Sequence, residues 1–303
     1  MSMTTELQNK ITALHLNTEL RFHEPMAAHT SFKIGGPAEI MAFPQNAEEL
    51  SEILKLSKVL DCKIAILGAG TNVLAPDAGI PGLVICLKDA MDGMEQLDAT
   101  TIRVMAGVTM TRAAVFAANL GLSGFEFAHG IPGTVGGGVY MNAGAYGGEI
   151  CQICTQVGVM DMEGNVRTLT NEEMEFSYRH SRLEETGEIV LYADFALIPS
   201  TTEQVREKMQ ELMSKRKASQ PLDLPSAGSA FKRPAQGYAA ALIDQTGLKG
   251  YQVGDAAIST KHAGFAVNLG SATAEDVKNL LGQVSDKVFD ATGIRLEPEV
   301  RIW

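Results

Sequence analysis

The sequence predicts a mixed α+β protein built from more than one domain. Three observations carry that expectation. The strand-like AEIMAFP (38–44) is followed by a helical pattern running to about Asp61 and then by KIAIL (63–67), a strand, helix, strand opening. Beyond residue 80, apolar runs bounded by turn residues alternate with single helices and never settle into one period. Finally, the chain has 303 residues, long for a single hydrophobic core, which stops growing at about 250 to 300 residues.

Taken in order, residues 5–16 read as a helix. The helix after AEIMAFP has Asn46 as its cap, with Glu48 and Glu49 in a first turn where the helix dipole favours negative charge. KIAIL then runs into Gly-Ala-Gly-Thr-Asn. LVICL (83–87) and TIRVMAG (101–107) read as strands, and Thr109 caps a helix that stops at Gly121. A glycine-dense stretch, HGIPGTVGGGVYMNAGAYGGEI (129–150), leads to VGVMDMEGNVRTL (157–169), where Glu163-Gly164-Asn165 marks a hairpin. EIVLYADFALI (188–198) is a strand, and a helix follows over 202–217. The segment SKRKASQPLDLPSAGSAFKRP (214–234) is basic, rich in Pro and Ser and without periodicity, so it reads as a boundary or functional loop. A helix at 235–246, strands within 251–268, a helix at 273–292 and a terminal strand in RLEPEVRIW (295–303) complete the chain.

With 45% hydrophobic and 20% charged residues, the chain can bury a core and global disorder is excluded. A net charge of -11 argues against general binding to nucleic acid or anionic lipid, both of which need a basic surface. MSMTTELQNKITALHLNTEL has no basic region leading into an apolar one, so it does not read as a secretory signal. No apolar run approaches the roughly 18 residues of a membrane span. The expectation is a cytoplasmic protein, monomeric, with small-molecule partners. Four cysteines make no disulfide framework. Cys151 and Cys154 form a C-x-x-C, but no second pair or nearby His completes a zinc site, so they read as core thiols and no metal is expected.

Two glycine-rich loops carry the first hint of chemistry. Gly68, Ala69, Gly70, Thr71 and Asn72 follow a strand, and residues this small let backbone amides approach an anion. The loop lacks the third glycine of a Rossmann fingerprint and no helical pattern opens after it. The second loop holds Gly130, Ile131, Pro132, Gly133, Thr134, Gly136 and Gly137, with Asn142 and Ala143 just beyond. Two such cradles in one chain suit a dinucleotide such as FAD; a pair of tight turns is the alternative.

HTSFKIGGPA (29–38), LGAGTNVL (67–74), GIPGTVGGGVYMNAGAYGGEI (130–150), YRHS (178–181), PSAGSAFKRP (225–234) and LEPEVRI (296–302) together resemble the UDP-N-acetylenolpyruvoylglucosamine reductase family. Six motifs match, in the family's order, across both ends and the middle. The resemblance implies a three-domain flavoprotein with two FAD-binding α/β domains of the vanillyl-alcohol-oxidase type and a C-terminal substrate domain. The expected limits are 1–76 with 297–303, then 77–200, then 201–296. It implies FAD as cofactor and NADPH as hydride donor in peptidoglycan precursor synthesis. GAGTN has no histidine to tether a flavin, so the FAD is expected to be noncovalent. The short spacing from YRHS to PSAGS is similar to the compact type, which lacks an inserted loop bearing a substrate-clamping tyrosine.

Such a reduction needs a hydride donor, a group that stabilises charge beside the substrate carboxylate, and a proton source. By resemblance Ser229 is the proton donor, with Lys232 nearby. Arg179 matches the electrophile on the carboxylate, and a guanidinium fork supplies both charge and orientation; Tyr178 precedes it in the same motif. Period two puts Glu297, Glu299 and Arg301 on one face of the terminal strand and Leu296, Val300 and Ile302 on the other. The family pattern selects Glu299 as the active-site acid and Arg301 as its neighbour on the substrate side. Arg216, Lys217, Lys232 and Arg233 make a positive cluster suited to a diphosphate or to NADPH phosphates, or else a solvated face. His262 and Asn268 fit the uridine side, with a satisfied core histidine as the other reading. Another flavoprotein oxidase of the superfamily and a non-catalytic nucleotide-sugar binding module are the competing functions.

Overall fold

The computed structural model describes residues 3–13 and 16–303, so the end of the expected 5–16 helix lies partly outside the described residues; the helix itself spans Met3–Ala13. The chain forms two compact units. The first takes the N-terminal stretch to Phe22, Glu39–Ala69 and Gly82–Ser214, and the second His23–Ala38, Gly70–Pro81 and Lys215–Trp303.

In the first unit the expected opening is present. Asn46 accepts a hydrogen bond from Glu49 N–H and starts the Ala47–Val59 helix, whose Leu50, Ile53 and Leu54 are wholly buried. The strand Pro37–Phe43 and the strand Ile64–Leu67 are not neighbours, because Ile80–Cys86 inserts between them and pairs in parallel with Ile64–Leu67. A five-stranded antiparallel sheet follows, in the order Val166–Thr170, Cys154–Met160, Ile189–Ala196, Thr101–Met105, Met94–Gln96. The Glu163-Gly164-Asn165 hairpin joins two of its strands, with Gly164 at a φ of +85°. Arg103 grips Asp194 through two hydrogen bonds of 2.7 and 2.8 Å and lies over the Tyr192 ring. The pair is therefore geometrically defined on both sides.

The glycine stretch holds a helix that the sequence does not announce, Val135–Tyr140. Glycine is a poor helix former, by about 1 kcal/mol per residue, so packing must supply what propensity withholds. A Cβ on Gly136 would lie 2.9 Å from the Ala106 Cβ, and one on Gly138 would lie 2.8 Å from the Met110 sulfur. The glycines are there so that this helix can approach Ala106 and Met110 closely.

The second unit centres on an antiparallel sheet ordered Ser226–Ser229, Phe265–Asn268, Ala256–Ile258, Gln252–Val253. Ser226–Ser229 falls in the stretch read as loop; its irregular register beside the left-handed Gly228 explains why no periodicity betrays it. The helix expected over 235–246 is shorter, Ala239–Gln245, because Gly237 is left-handed and Tyr238 is extended at the cap. The helix Ala274–Thr292 starts at Thr273 as expected and packs Val277, Leu280, Leu281, Val284 and Val288 into the core.

Only Arg301–Ile302 of the terminal segment forms a strand, parallel to Val73–Leu74. The segment changes partners: Glu297 C=O accepts from Lys232 N–H (2.8 Å) and Glu299 N–H donates to Ala230 C=O (3.0 Å), whereas Arg301 N–H donates to Asn72 C=O (2.9 Å). A single alternating face does not survive that change. Leu296 and Val300 are buried as expected, but Ile302 is 46% exposed.

Among the described residues no helix is long and apolar enough to cross a membrane, and no group of three or more His, Cys, Asp or Glu side chains is placed to hold a metal ion.

Asp77 accepts from the N–H groups of Ala274 (2.8 Å) and Glu275 (3.2 Å) at the start of the long helix, in addition to the Thr273 cap. Asp77→Ala is expected to lower the unfolding free energy by about 1 kcal/mol, and Asp77→Asn by less, in urea titration. Cys154 is buried, and burial pushes its thiol up to about 12; burial also raises Cys151, which is partly exposed, and all four cysteines are free. Cys154 should therefore stay unmodified by an alkylating reagent at about pH 8 in the native protein and label fully after denaturation, read by mass spectrometry.

Candidate active site

The first loop begins where the Ile64–Leu67 strand ends. Gly70 sits at a φ of +60°, and a Cβ there would lie 2.1 Å from the His29 carbonyl oxygen, so the position admits only glycine. Among the described residues, the amides of Gly68, Ala69 and Gly70 donate to no protein acceptor. Three adjacent N–H groups on small residues form the kind of nest that receives an anion. After Thr71, the Asn72 side chain donates to Glu299 C=O at 3.0 Å, tying the loop's end to the terminal segment.

The second loop meets the first. A Cβ on Gly68 would lie 2.5 Å from Thr134 Oγ1, so both runs converge at one place within the first unit. Their contributions differ. Ile131 N–H is bonded to Ala128, and the amides of Val135, Gly136 and Gly138 donate to Val108, Ala106 and Thr134, while Gly137 N–H reaches Thr134 Oγ1 at 3.4 Å. The amides of Gly136 and Gly137 thus serve the helix and its packing. Gly133, left-handed with a φ of +127°, and Thr134 keep amides that donate to no acceptor among the described residues. Gly130 and Pro132 lead into that corner.

Arg179 stands at the tip of a tight turn closed by reciprocal backbone bonds between Ser177 and His180 (3.1 and 3.3 Å). Its φ is +57°, a conformation costing a non-glycine residue about 1 to 3 kcal/mol and found where function demands it. The guanidinium donates to Gly144 C=O at 3.2 Å and lies 5.1 Å from the ring of Tyr178, itself 47% exposed. Asn142 is buried, and its side chain is wholly engaged: Nδ2 donates to Ser177 C=O (2.9 Å) and Glu149 (3.1 Å), and Oδ1 accepts from Cys151 N–H (2.9 Å). Those bonds use both side-chain donors of Asn142. Ala143 N–H is bonded to Gly138.

In the second unit, Ser229 ends its strand opposite Phe265; it is exposed, and its hydroxyl makes no hydrogen bond among the described residues. The next residue, Ala230, receives the Glu299 amide. Two residues 70 positions apart in sequence thus stand on adjoining, hydrogen-bonded stretches of backbone. Arg301 follows on the same segment, bonded to Asn72.

The proposed positive cluster is uneven. Arg216 is buried, whereas Lys232 is ion-paired to Glu297, Arg233 lies over the Tyr238 ring at 4.2 Å, and Lys217 offers its carbonyl to the Lys261 ammonium. His262 accepts from Gly264 N–H (3.1 Å) and stands edge-on to Phe265; burial lowers its pKa, keeping the ring neutral at pH 7. Asn268 is buried and holds Phe32 C=O, Gly270 N–H and Ala272 N–H. Both side chains brace backbone, which is the satisfied-histidine reading for His262 and leaves Asn268 a single free N–H. The sequence reading overlooked Ser31, whose hydroxyl donates to Ser226 C=O at 2.6 Å, and Ser181, fully buried and bonded to Tyr140 C=O at 2.7 Å. Both lie inside quoted motifs, HTSFKIGG and YRHS, which is the signal that could have found them.

The family model described as "UDP-N-acetylenolpyruvoylglucosamine reductase, C-terminal domain" matches residues 220–303, and that of an FAD binding domain matches residues 38–170. Among curated relatives, a UDP-N-acetylenolpyruvoylglucosamine reductase of Latilactobacillus sakei is 44% identical over 93% of both chains, and one of Streptococcus thermophilus is 41% identical over 100% of this chain and 97% of its own. The solved UDP-N-acetylenolpyruvylglucosamine reductase of Thermus caldophilus superposes with a TM-score of 0.80 at 35% identity, covering 95% of this chain and 99% of that one.

Proposed function

This chain belongs to the UDP-N-acetylenolpyruvoylglucosamine reductase family, and from that premise we propose how the residues above perform the family's reaction. The protein is an FAD-dependent oxidoreductase that uses NADPH to reduce UDP-N-acetylglucosamine enolpyruvate to UDP-N-acetylmuramate, a peptidoglycan precursor. We place it in the cytoplasm, where NADPH is supplied, and keep the division into 1–76 with 297–303, 77–200 and 201–296.

The first loop fits the cofactor. A dinucleotide diphosphate needs clustered N–H donors without side chains in the way, which the amides of Gly68, Ala69 and Gly70 provide, and the corner at Gly133 and Thr134 extends that surface. No histidine stands between Gly68 and Asn72 to form a covalent tether. Bound FAD supplies the redox chemistry, taking reducing equivalents from NADPH and passing them to the enolpyruvyl double bond.

The observation that carries the catalytic reading is the backbone bond from Glu299 to Ala230, which puts an acid beside the segment ending in Ser229. As the double bond is reduced at its methylene carbon, negative charge develops toward the substrate carboxylate. Arg179 meets that charge with a guanidinium held in a strained, defined turn. Glu299 stabilises the enol form, and Ser229 delivers the proton to the carbon bearing the carboxylate. A hydroxyl not engaged with its own backbone is available for that transfer. Arg216, Lys217 and Arg233 remain the cations for the phosphates; Lys232 would first have to leave Glu297.

Two outcomes test this. Ser229→Ala should slow reoxidation of the reduced flavin by the enolpyruvyl substrate by about 10²- to 10⁴-fold while leaving reduction by NADPH nearly unchanged, in anaerobic stopped-flow absorbance. An equal loss in both half-reactions refutes the role. Gly70→Val introduces a branched side chain at a left-handed position against the His29 carbonyl, and the purified variant should be folded but colourless or strongly depleted in FAD.

A further inference from the structure

The turn carrying Arg179 is closed by its own backbone bonds and is also fastened from outside. A left-handed arginine is an unfavourable tip for a tight turn, and yet the residues before and after it are fastened to one short stretch of the first unit. On one side, Ser177 C=O receives Asn142 Nδ2 at 2.9 Å. On the other, the Ser181 hydroxyl donates to Tyr140 C=O at 2.7 Å, with Ser181 completely buried. Tyr140 and Asn142 flank the C-terminal exit of the glycine helix, whose N-terminal cap is Thr134 in the second glycine loop. The guanidinium itself donates to Gly144, two residues beyond Asn142.

We infer that Asn142 and Ser181 are positioning residues for Arg179, setting the guanidinium against the substrate carboxylate from the same segment that forms the second glycine loop. This rests on the role of Arg179 proposed above. Asn142 is suited to the task for two separate reasons. It occupies a left-handed position, φ +43°, that asparagine tolerates better than most residues, and its amide can donate twice and also accept through its oxygen. Both donors are used, on Ser177 and Glu149, and the oxygen accepts from Cys151 N–H. Glu149 in turn belongs to the hairpin that pairs Gly144–Ala145 with Gly148–Glu149, so the carbonyl receiving Arg179 is fixed by the same network. A small displacement there would misplace the charge at the carboxylate without touching the first glycine loop.

The test uses holoenzyme of Asn142→Asp, which keeps size and backbone preference but turns the donor to Ser177 into an acceptor, and of Ser181→Ala, which deletes only the hydroxyl. Each is also built on Arg179→Ala. Flavin content, reduction by NADPH and reoxidation by UDP-N-acetylglucosamine enolpyruvate are measured anaerobically. Each single variant should retain flavin, be reduced by NADPH within about twofold of the parent rate, and be reoxidised about 10- to 100-fold more slowly, the scale expected for an ångström of misplacement. On the Arg179→Ala background neither should slow reoxidation further, because the group they position is gone. Additive losses on that background, loss of flavin, or equal slowing of both half-reactions would overturn the inference. If Arg179→Ala itself leaves reoxidation unchanged, the role of Arg179 fails instead, and the two failures are told apart.

Discussion

The terminal segment 297–303 is the constraint on which the second unit depends. Through backbone bonds alone it joins Ala230 and Lys232 on one side to Asn72 and Leu74 on the other, two stretches more than 150 residues apart. The switch of partners falls between Glu299 and Arg301. Pro298, which has no N–H to offer, sits opposite Phe231 at an isolated bridge. Buried Leu296 and Val300 anchor the segment in the core with Phe32, Leu74 and Phe231. The backbone of Glu299 is thereby held against Ala230, the residue after Ser229.

Glycine does three different jobs in this chain. At Gly70 it permits a left-handed turn that presses on the His29 carbonyl. At Gly136 and Gly138 it allows a helix to lie against Ala106 and Met110, so tertiary contact overrides poor helix propensity. At Gly68 it lets the two loops approach at Thr134. Substituting all of these with alanine would produce three distinct defects, in backbone conformation, in packing and in the ligand surface.

Charge is likewise divided between structure and chemistry. Arg103 with Asp194 and Arg167 with Glu188 are ion pairs in which the acid is nearly buried and hydrogen-bonded; the arginine beside Glu188 holds its carboxyl below the usual carboxylate range. Breaking such a pair leaves an uncompensated buried charge. Arg179 donates to a backbone carbonyl and lies near the face of Tyr178, which orients the guanidinium.

Local pattern in the sequence determined much of this protein. The caps at Asn46 and Thr109, the hairpin at Gly164, the longer strands of the central sheet and the family motifs were all legible, because each depends on residues within a few positions of one another. Tertiary structure alone decided the rest. The insertion of Ile80–Cys86 between two strands, the helix made of glycines, the short strand at Ser226–Ser229 and the exposed Ile302 depend on partners far along the chain. The same holds for side chains: nothing local shows that the Asn142 and Asn268 amides hold backbone carbonyls brought to them by the fold. A motif names which residues matter, but hydrogen bonds between distant segments determine which of them remain available for chemistry.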